Sequence, residues 1–566
     1  MVTKPALKQQ LLELIMLDIR YFNEGSSEQL VPVTKLPAQL LSLLKNYPVG
    51  GIVLFRENLV DIPQILNLTN ALQYNTTWGR LIGIDQEGGL VTRISTATTM
   101  PGNMALGAIN NLNITTKVAA IIGSELDALG INLNFAPCVD VNSNPNNPVI
   151  GVRSFGQNPL MVANHGAAYI EGLKQQQIIS CVKHFPGHGN TVHDSHLGET
   201  IVNSSAANLE QCDFIPFKLA IDRGVDMVML AHVVVPTLDN EYIYSSKLNI
   251  AVKTPATFSY SIVTQLLREQ LGFTGVITSD ALDMQAIAGQ FNPVEATILA
   301  LKAGVDLIVM PLKIRNEREI HEFITYFNQV YTICANSTEL CNKVEQSYNR
   351  VLELKHKYQV GLRNLLLENQ LKKAMHLVGC DKHREFEQQI AKKAITLYKN
   401  VTQTLPWRIT LSDKVLIIST NELIAKTSKI IMEEKLKGIS VTIRVLNDTH
   451  NNIDDMKLQD VDKVLLLTYN LIKPINCLNQ IVEQLNDLAK PYVMLSCGNP
   501  YDIRYVDKVT TNVLIFGTSG FDRTNNLVGQ FTLNLTQALV LVFKATNENE
   551  FNHYLPVDLN VNNAIN

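Results

Sequence analysis

IISCVKHFPGHGNTVHDSH, residues 178–196, begins as an apolar run and ends as a loop dense in histidine and glycine. Ile178–Val182 suit a short strand buried on both faces. Lys183 and His184 close the run, and His188, His193 and His196 follow with Asp194 and Glu199 nearby. A covered strand that delivers polar side chains at its C-terminal end is the signature of a parallel α/β sheet with chemistry on its rim. The pattern recurs on both sides. LIMLDIR (14–20), GIVLFR (51–56), LIGID (81–85) and INLNFAP (131–137) precede it, and DMVMLAH (226–232), GVITSD (275–280) and VDLIVMP (305–311) follow. Helical spacing fills the intervals at 162–176, 261–272 and 294–304, and the last two stop at Gly272 and Gly304. Eight such alternations predict a (β/α)8 TIM-like barrel; an open doubly wound sheet is the competing arrangement.

Beyond residue 311 the chain is charged and helical to about residue 400. A second set of apolar runs then appears: KVLIIST (414–420), SVTIRVL (440–446), KVLLLTY (463–469), YVMLSCG (492–498) and NVLIFG (512–517). We expect a catalytic barrel over 1–345, a helical connector over 346–405 and a C-terminal αβα sandwich domain over 406–566. More than one core is expected for 566 residues that are 46% hydrophobic and 18% charged.

The formal net charge is −4, and no run of Lys and Arg stands out. Nucleic acid and anionic membranes are therefore excluded as expected partners, which leaves a small neutral or zwitterionic molecule. The eight cysteines are scattered without a CxxC pair. That fits reduced thiols and a cytoplasmic location, as does an N-terminal apolar run interrupted by Glu13. No stretch is apolar enough to suggest a membrane-spanning helix. The oligomeric state is left open.

Several of the runs end in reactive residues. Asp85 closes the third, Lys183 and His184 the fifth, His232 the sixth and Asp280 the seventh, while a loop with Asp140 and Arg153 follows the fourth. In a barrel these would converge on one rim. The histidines of 184–196 could be read as metal ligands. There is no HExxH and no coherent ligand spacing, so neither metal nor cofactor is expected. The other reading is an Asp-x-His pair, in which Asp194 fixes the tautomer of His196 and His196 moves a proton near neutral pH.

KHFPGHGNTVHDSH (183–196) resembles the KHFPGHGxTxxDSH signature of family 3 glycoside hydrolases of the β-N-acetylglucosaminidase branch, which includes enzymes of peptidoglycan recycling. The likeness extends to DQEGG (85–89), RSFG (153–156), ITSDALDM (277–284) and GNPYDI (498–503), the last similar to a segment of the family's C-terminal domain. It implies a retaining hydrolase releasing terminal β-linked N-acetylglucosamine, with muropeptides as the substrates of the recycling enzymes. It further implies Asp280 as nucleophile, His196 as acid/base with Asp194 as its partner, and Asp85, Arg93, Arg153, Lys183 and His184 as sugar-binding residues. Leu90 departs from the Arg common in relatives, so a hydroxyl or aglycone contact would be missing; Asn190 replaces a frequent Asp.

Three other functions compete: a phosphorylase using phosphate in place of water, a β-glucosidase, and a non-catalytic sugar-binding protein. Individual residues also have plainer roles open to them. Asp280 could cap a helix over 281–287, Lys183 and His184 could be a buried polar pair, Arg153 could cap a carbonyl or pair with Asp140, and His232 could be a satisfied core histidine.

Overall fold

The computed structural model describes residues 6–23, 29–74, 76, 78–191, 198–361, 366–410, 412–446, 456–517 and 533–559. The eight apolar runs each contribute a strand. They are β1 (Ile15–Asp18), β2 (Gly51–Val53), β3 (Leu81–Ile84), β4 (Leu133–Asn134), β5 (Ile179–Phe185) and β6 (Met227–Leu230), with β9 (Val276–Ser279) and β10 (Ile308–Val309) after an inserted hairpin. All pairings are parallel, in the order β10-β1-β2-β3-β4-β5-β6-β9. A parallel bridge between Thr278 and Leu307, with the Ser279 amide donating to the Leu307 carbonyl at 3.1 Å, joins the two ends of the sheet. That closure makes a barrel and rules out the doubly wound alternative.

Every residue of these strands is buried, which is why they read as unbroken apolar runs. β4 and β10 are the shortest, with two residues each, and at the end of β4 Asn134 turns its amide onto the chain that leaves β3. Its Oδ1 accepts from the Gln86 amide at 3.0 Å and its Nδ2 donates to the Gln86 carbonyl at 2.9 Å. The outer helices start where side-chain caps allow. Asn158 caps Pro159–Gln175 through the Met161 amide, and Asn292 caps Pro293–Ala303 through the Glu295 amide. Gly304, with φ 107°, ends the latter in the left-handed conformation that favours glycine. The inserted hairpin, β7 (Tyr242–Ser245) and β8 (Ile250–Lys253), is largely exposed.

The second sheet comprises β11 (Thr396–Asn400), β12 (Lys414–Ser419), β13 (Ser440–Val445), β14 (Lys463–Thr468), β15 (Tyr492–Ser496) and β16 (Thr511–Leu514). Its order is β11-β16-β15-β14-β12-β13, parallel except for β11 against β16. Apolar clusters cover both faces, one around Leu416, Leu466 and Ile481, the other around Ile417, Leu465 and Leu539. This is an αβα sandwich.

Its first strand comes from the stretch expected to be a helical connector. TLYKN (396–400) is short, and its last three residues are only half-buried, so it carries no strand-like apolar run. Residue 345 also falls inside one helix, Thr338–Lys357, whose Lys355 and Lys357 pair with Glu13 and Asp226 of the barrel. The two domains share a core. Met104, Ala105, Ala108 and Val152 of the barrel lie in the same cluster as Tyr501 and Phe516 of the sandwich. Leu90 packs against this cluster too, so the residue that departs from the familiar Arg supports the domain contact.

Candidate active site

The C-terminal ends of the strands open on a cavity of about 540 Å³. Asp18 at the end of β1, Asp85 just after β3 and Asp280 just after β9 line it, together with Arg20, Arg93 and Asp283. Asp280 is half-buried, and its Oδ1 accepts from the Ala281 amide at 2.7 Å. It does not cap a helix. The following chain makes a turn, and the next helix starts at Gln285 with Met284 in the capping position.

Behind Asp85 lies a buried ion-pair network. Lys183 Nζ donates to Asp85 Oδ1 at 2.6 Å and lies 2.7 Å from Glu87 Oε1. Arg153 grips the same Glu87 through one edge of its guanidinium, Nε to Oε2 at 3.0 Å and Nη2 to Oε1 at 2.7 Å. Arg93 completes the set, 3.8 Å from Asp85 Oδ2. Burial alone would raise the pKa of Glu87, but the Arg153 and Lys183 charges outweigh it and hold the carboxyl well below its usual range. The same balance runs in reverse at Lys183: burial works against its charge, and Asp85 and Glu87 outweigh burial and raise its pKa. Glu87, Arg153 and Lys183 therefore keep their charges at neutral pH, as a bidentate Arg–carboxylate pair with a shared lysine should. Arg153 thus pairs with Glu87, and the alternative of an Arg153–Asp140 pair is not what forms.

Asp140 instead holds His184. Its Oδ2 lies 2.7 Å from His184 Nδ1 and accepts from the His184 amide at 3.1 Å, while Oδ1 accepts from the His188 amide at 2.7 Å. Burial would raise the Asp140 pKa; His184 and these bonds bring it down to about 2. The carboxylate thereby fixes the ring at Nδ1 and leaves Nε2 for another partner. Cys138 donates its thiol to the same Oδ2 at 3.2 Å. Cys138, Asp140 and His184 bring potential metal-ligand atoms within 4.8 Å of one another, but those atoms are engaged with each other as a hydrogen-bonded unit. His188 is pushed down to about 4, chiefly by burial, and is neutral at pH 7. Its Nδ1 meets Thr191 Oγ1 at 2.9 Å, consistent with a loop-shaping role. His232 is a satisfied core residue, with Thr257 Oγ1 at 2.8 Å and the Ala281 carbonyl at 3.0 Å on its two ring nitrogens.

Among the expected site residues, Asp85, Arg93 and Asp280 share one cavity, Lys183 and Arg153 join them through Asp85 and Glu87, and His184 extends the set through Asp140. Asp194 and His196 lie outside the described residues. Glu87 and Asp18 carried no expected role. Glu87 stands inside the DQEGG motif and Asp18 ends the first apolar run, and the latter was the available signal for it.

Fold and site together define a (β/α)8-barrel enzyme with an acidic pocket braced by buried cations. The sequence pattern of the glycosyl hydrolase family 3 N-terminal domain matches residues 7–354, and the chain belongs to that family. It is 41% identical over 407 residues to β-hexosaminidase A of Pseudoalteromonas piscicida, covering 69% of this chain and 67% of that one. It is 37% identical over 270 residues to a β-hexosaminidase of Neisseria meningitidis serogroup C, covering 46% of this chain and 71% of that protein. Among solved structures, a family 3 β-N-acetylglucosaminidase from Paenibacillus sp. str. FPU-7 superposes with a TM-score of 0.77 at 29% identity, covering 99% of this chain and all of that one.

Proposed function

We propose that this protein is a retaining β-N-acetylhexosaminidase that releases terminal β-linked N-acetylglucosamine. The observation that carries the reading is the position of Asp280, half-buried at the end of a barrel strand and opening on the cavity that Asp85 and Arg93 also line. Likeness to β-hexosaminidases over most of the chain supports the substrate. In the first step the Asp280 carboxylate attacks the anomeric carbon, the glycosidic C–O bond breaks, and protonated His196 gives its proton to the leaving oxygen. In the second, neutral His196 takes a proton from water, the resulting hydroxide displaces Asp280 from the sugar, and the β-configuration returns. Asp194 supports the imidazolium. Asp85 accepts from sugar hydroxyls, and Arg93, Arg153, Lys183 and His184 orient the ring.

The aglycone we propose is a peptidoglycan fragment, in keeping with the 183–196 motif. A reducing, cytoplasmic setting is in keeping with eight free cysteines. No described helix is long and apolar enough to cross a membrane.

The test compares wild type and Asp280→Ala on chromogenic β-N-acetylglucosaminide and β-glucoside, with and without phosphate. Cleavage of the N-acetylglucosaminide in plain buffer by wild type, with a loss of about 10⁴-fold or more in the variant, is the expected result. A requirement for phosphate with release of sugar 1-phosphate would identify a phosphorylase instead. An Asp280→Ala variant as active as wild type would remove Asp280 from the mechanism.

A further inference from the structure

GNPYDI (498–503) belongs to the sandwich domain, yet two of its side chains, those of Asn499 and Tyr501, bond to the barrel. Asn499 stands just before the short 3-10 turn Pro500–Tyr505 and leaves that turn uncapped. Its Oδ1 instead accepts from the Val152 amide at 3.0 Å. The approach is so close that a Cβ on Gly151 would lie 2.3 Å from that oxygen, and Gly151 has φ 43°, a conformation favouring glycine. The next residue but one is Arg153, whose carbonyl is held by Asn103 Nδ2 at 2.7 Å and whose guanidinium grips Glu87. Asn499 thus supplies an anchor from the second domain directly beside a residue of the site.

Tyr501 supplies another. Its hydroxyl accepts from Asn142 Nδ2 at 2.7 Å, and both residues are buried. Asn142 opens a short asparagine-rich stretch that reaches the other way. Asn144 Nδ2 donates to the Thr191 carbonyl at 3.1 Å, and Asn147 Nδ2 to the His188 carbonyl at 2.8 Å. The two segments touch without clearance: a Cβ on Gly189 would lie 1.7 Å from the Val141 carbonyl oxygen. Residues 141–153 therefore bridge the sandwich domain on one side and the histidine-bearing loop 188–191 on the other.

We infer that the Gly498–Asp502 segment of the sandwich domain is a positioning element of the active site, with Asn499 setting Arg153 and Tyr501 setting the 142–147 bridge that braces residues 188–191. The buried asparagines make fixed, directional bonds, and small displacements of substrate-orienting groups are costly to rate. Among the described residues, the C-terminal domain then supports the site without lining the cavity. This inference rests on the glycosidase reading for the role given to Arg153.

The test uses the full chain with Asn499→Ala, Asn499→Asp, Tyr501→Phe and Arg153→Lys. Steady-state kinetics on the β-N-acetylglucosaminide chromogen are combined with amide hydrogen exchange. Asn499→Ala should lower kcat/KM by about tenfold, mostly through KM. Asn499→Asp keeps the acceptor and should restore most of that loss. In the Arg153→Lys background, Asn499→Ala should cost less than about twofold, because its effect runs through Arg153. Exchange should quicken over 149–153 in Asn499→Ala, and over 142–147 and 188–191 in Tyr501→Phe. The inference is overturned by equal losses from Asn499→Ala in both backgrounds, by no kinetic loss, or by unchanged exchange in those segments. Wild type inactive on the chromogen would sink the glycosidase reading and would leave exchange to decide whether the contacts hold the loops.

Discussion

At the N-terminal end of the barrel, Asp306 accepts from Ser347 Oγ at 2.8 Å and Arg350 Nη1 at 2.9 Å and also pairs with Arg268, while Asp226 takes Lys357 and Tyr358, each at 2.6 Å. Lys355 bridges Glu13 and the Gly79 carbonyl at 2.5 and 2.8 Å. Five of these partners, Ser347, Arg350, Lys355, Lys357 and Tyr358, come from one helix and the residue after it, so the helix seals the bottom of the barrel. At the C-terminal end, Glu87 gathers Arg153 and Lys183 in much the same way, but the chain of charges runs on to Asp85, whose side chain is 21% exposed toward the cavity. Both ends bury ions at a desolvation cost that good pairing offsets. The bottom network covers its carboxylates, Asp306 and Asp226, with Arg350 and Lys357 reaching them from the solvent side of the helix, and it fastens the fold. The rim network is left open at one edge, where a substrate would find charges already held in place.

Cutting each network at its centre should separate these roles, and the rim should respond more. Glu87→Gln keeps the side-chain shape while leaving Arg153 and Lys183 short of a counter-charge. We expect kcat/KM to fall by about 10²-fold or more, together with a loss of about 3–5 kcal/mol in unfolding free energy. Steady-state kinetics and urea titration read the two effects separately. Asp306→Ala should cost a similar stability, about 3–5 kcal/mol, with kcat/KM per folded molecule unchanged. A bottom variant that folds fully but loses activity would break the comparison.

The barrel was legible because a strand covered on both faces has no choice but to be apolar, and all eight runs became strands. The β7–β8 hairpin and β11 were not, since half-exposed strands of four or five residues leave no such run. The rim position of Asp85 and Asp280 followed from their places at strand ends. The partner of Arg153 did not, because it reaches Glu87 across 66 residues of sequence and only the closed barrel brings the two together. Asp140, weighed for Arg153, goes to His184 for the same reason: β4 and β5 are neighbours and deliver both residues to one point. The use of GNPYDI was equally hidden, since Asn499 and Val152 are 347 residues apart.

The smallest expected effect sharpens the same contrast by pH. Asp18 lines the rim cavity with its carboxyl raised to about 6, first by burial, with Asp283 and Glu57 adding to the rise and Arg20 opposing it. Its ordinary value is 3.8, so between the two values the folded protein holds a proton that the unfolded chain has released. The stability this contributes is fully present below about pH 4 and is lost as pH rises through 6. Asp18→Asn cannot titrate, so between pH 5 and 7 wild type should lose about 1–2 kcal/mol relative to the variant. Urea unfolding of both proteins at the two pH values measures it. A difference that does not change with pH would mean that the rim solvates Asp18 well enough to keep it ionised at pH 5 as well as at pH 7, and the cavity would then carry that negative charge beside Arg20 in mildly acidic solution too.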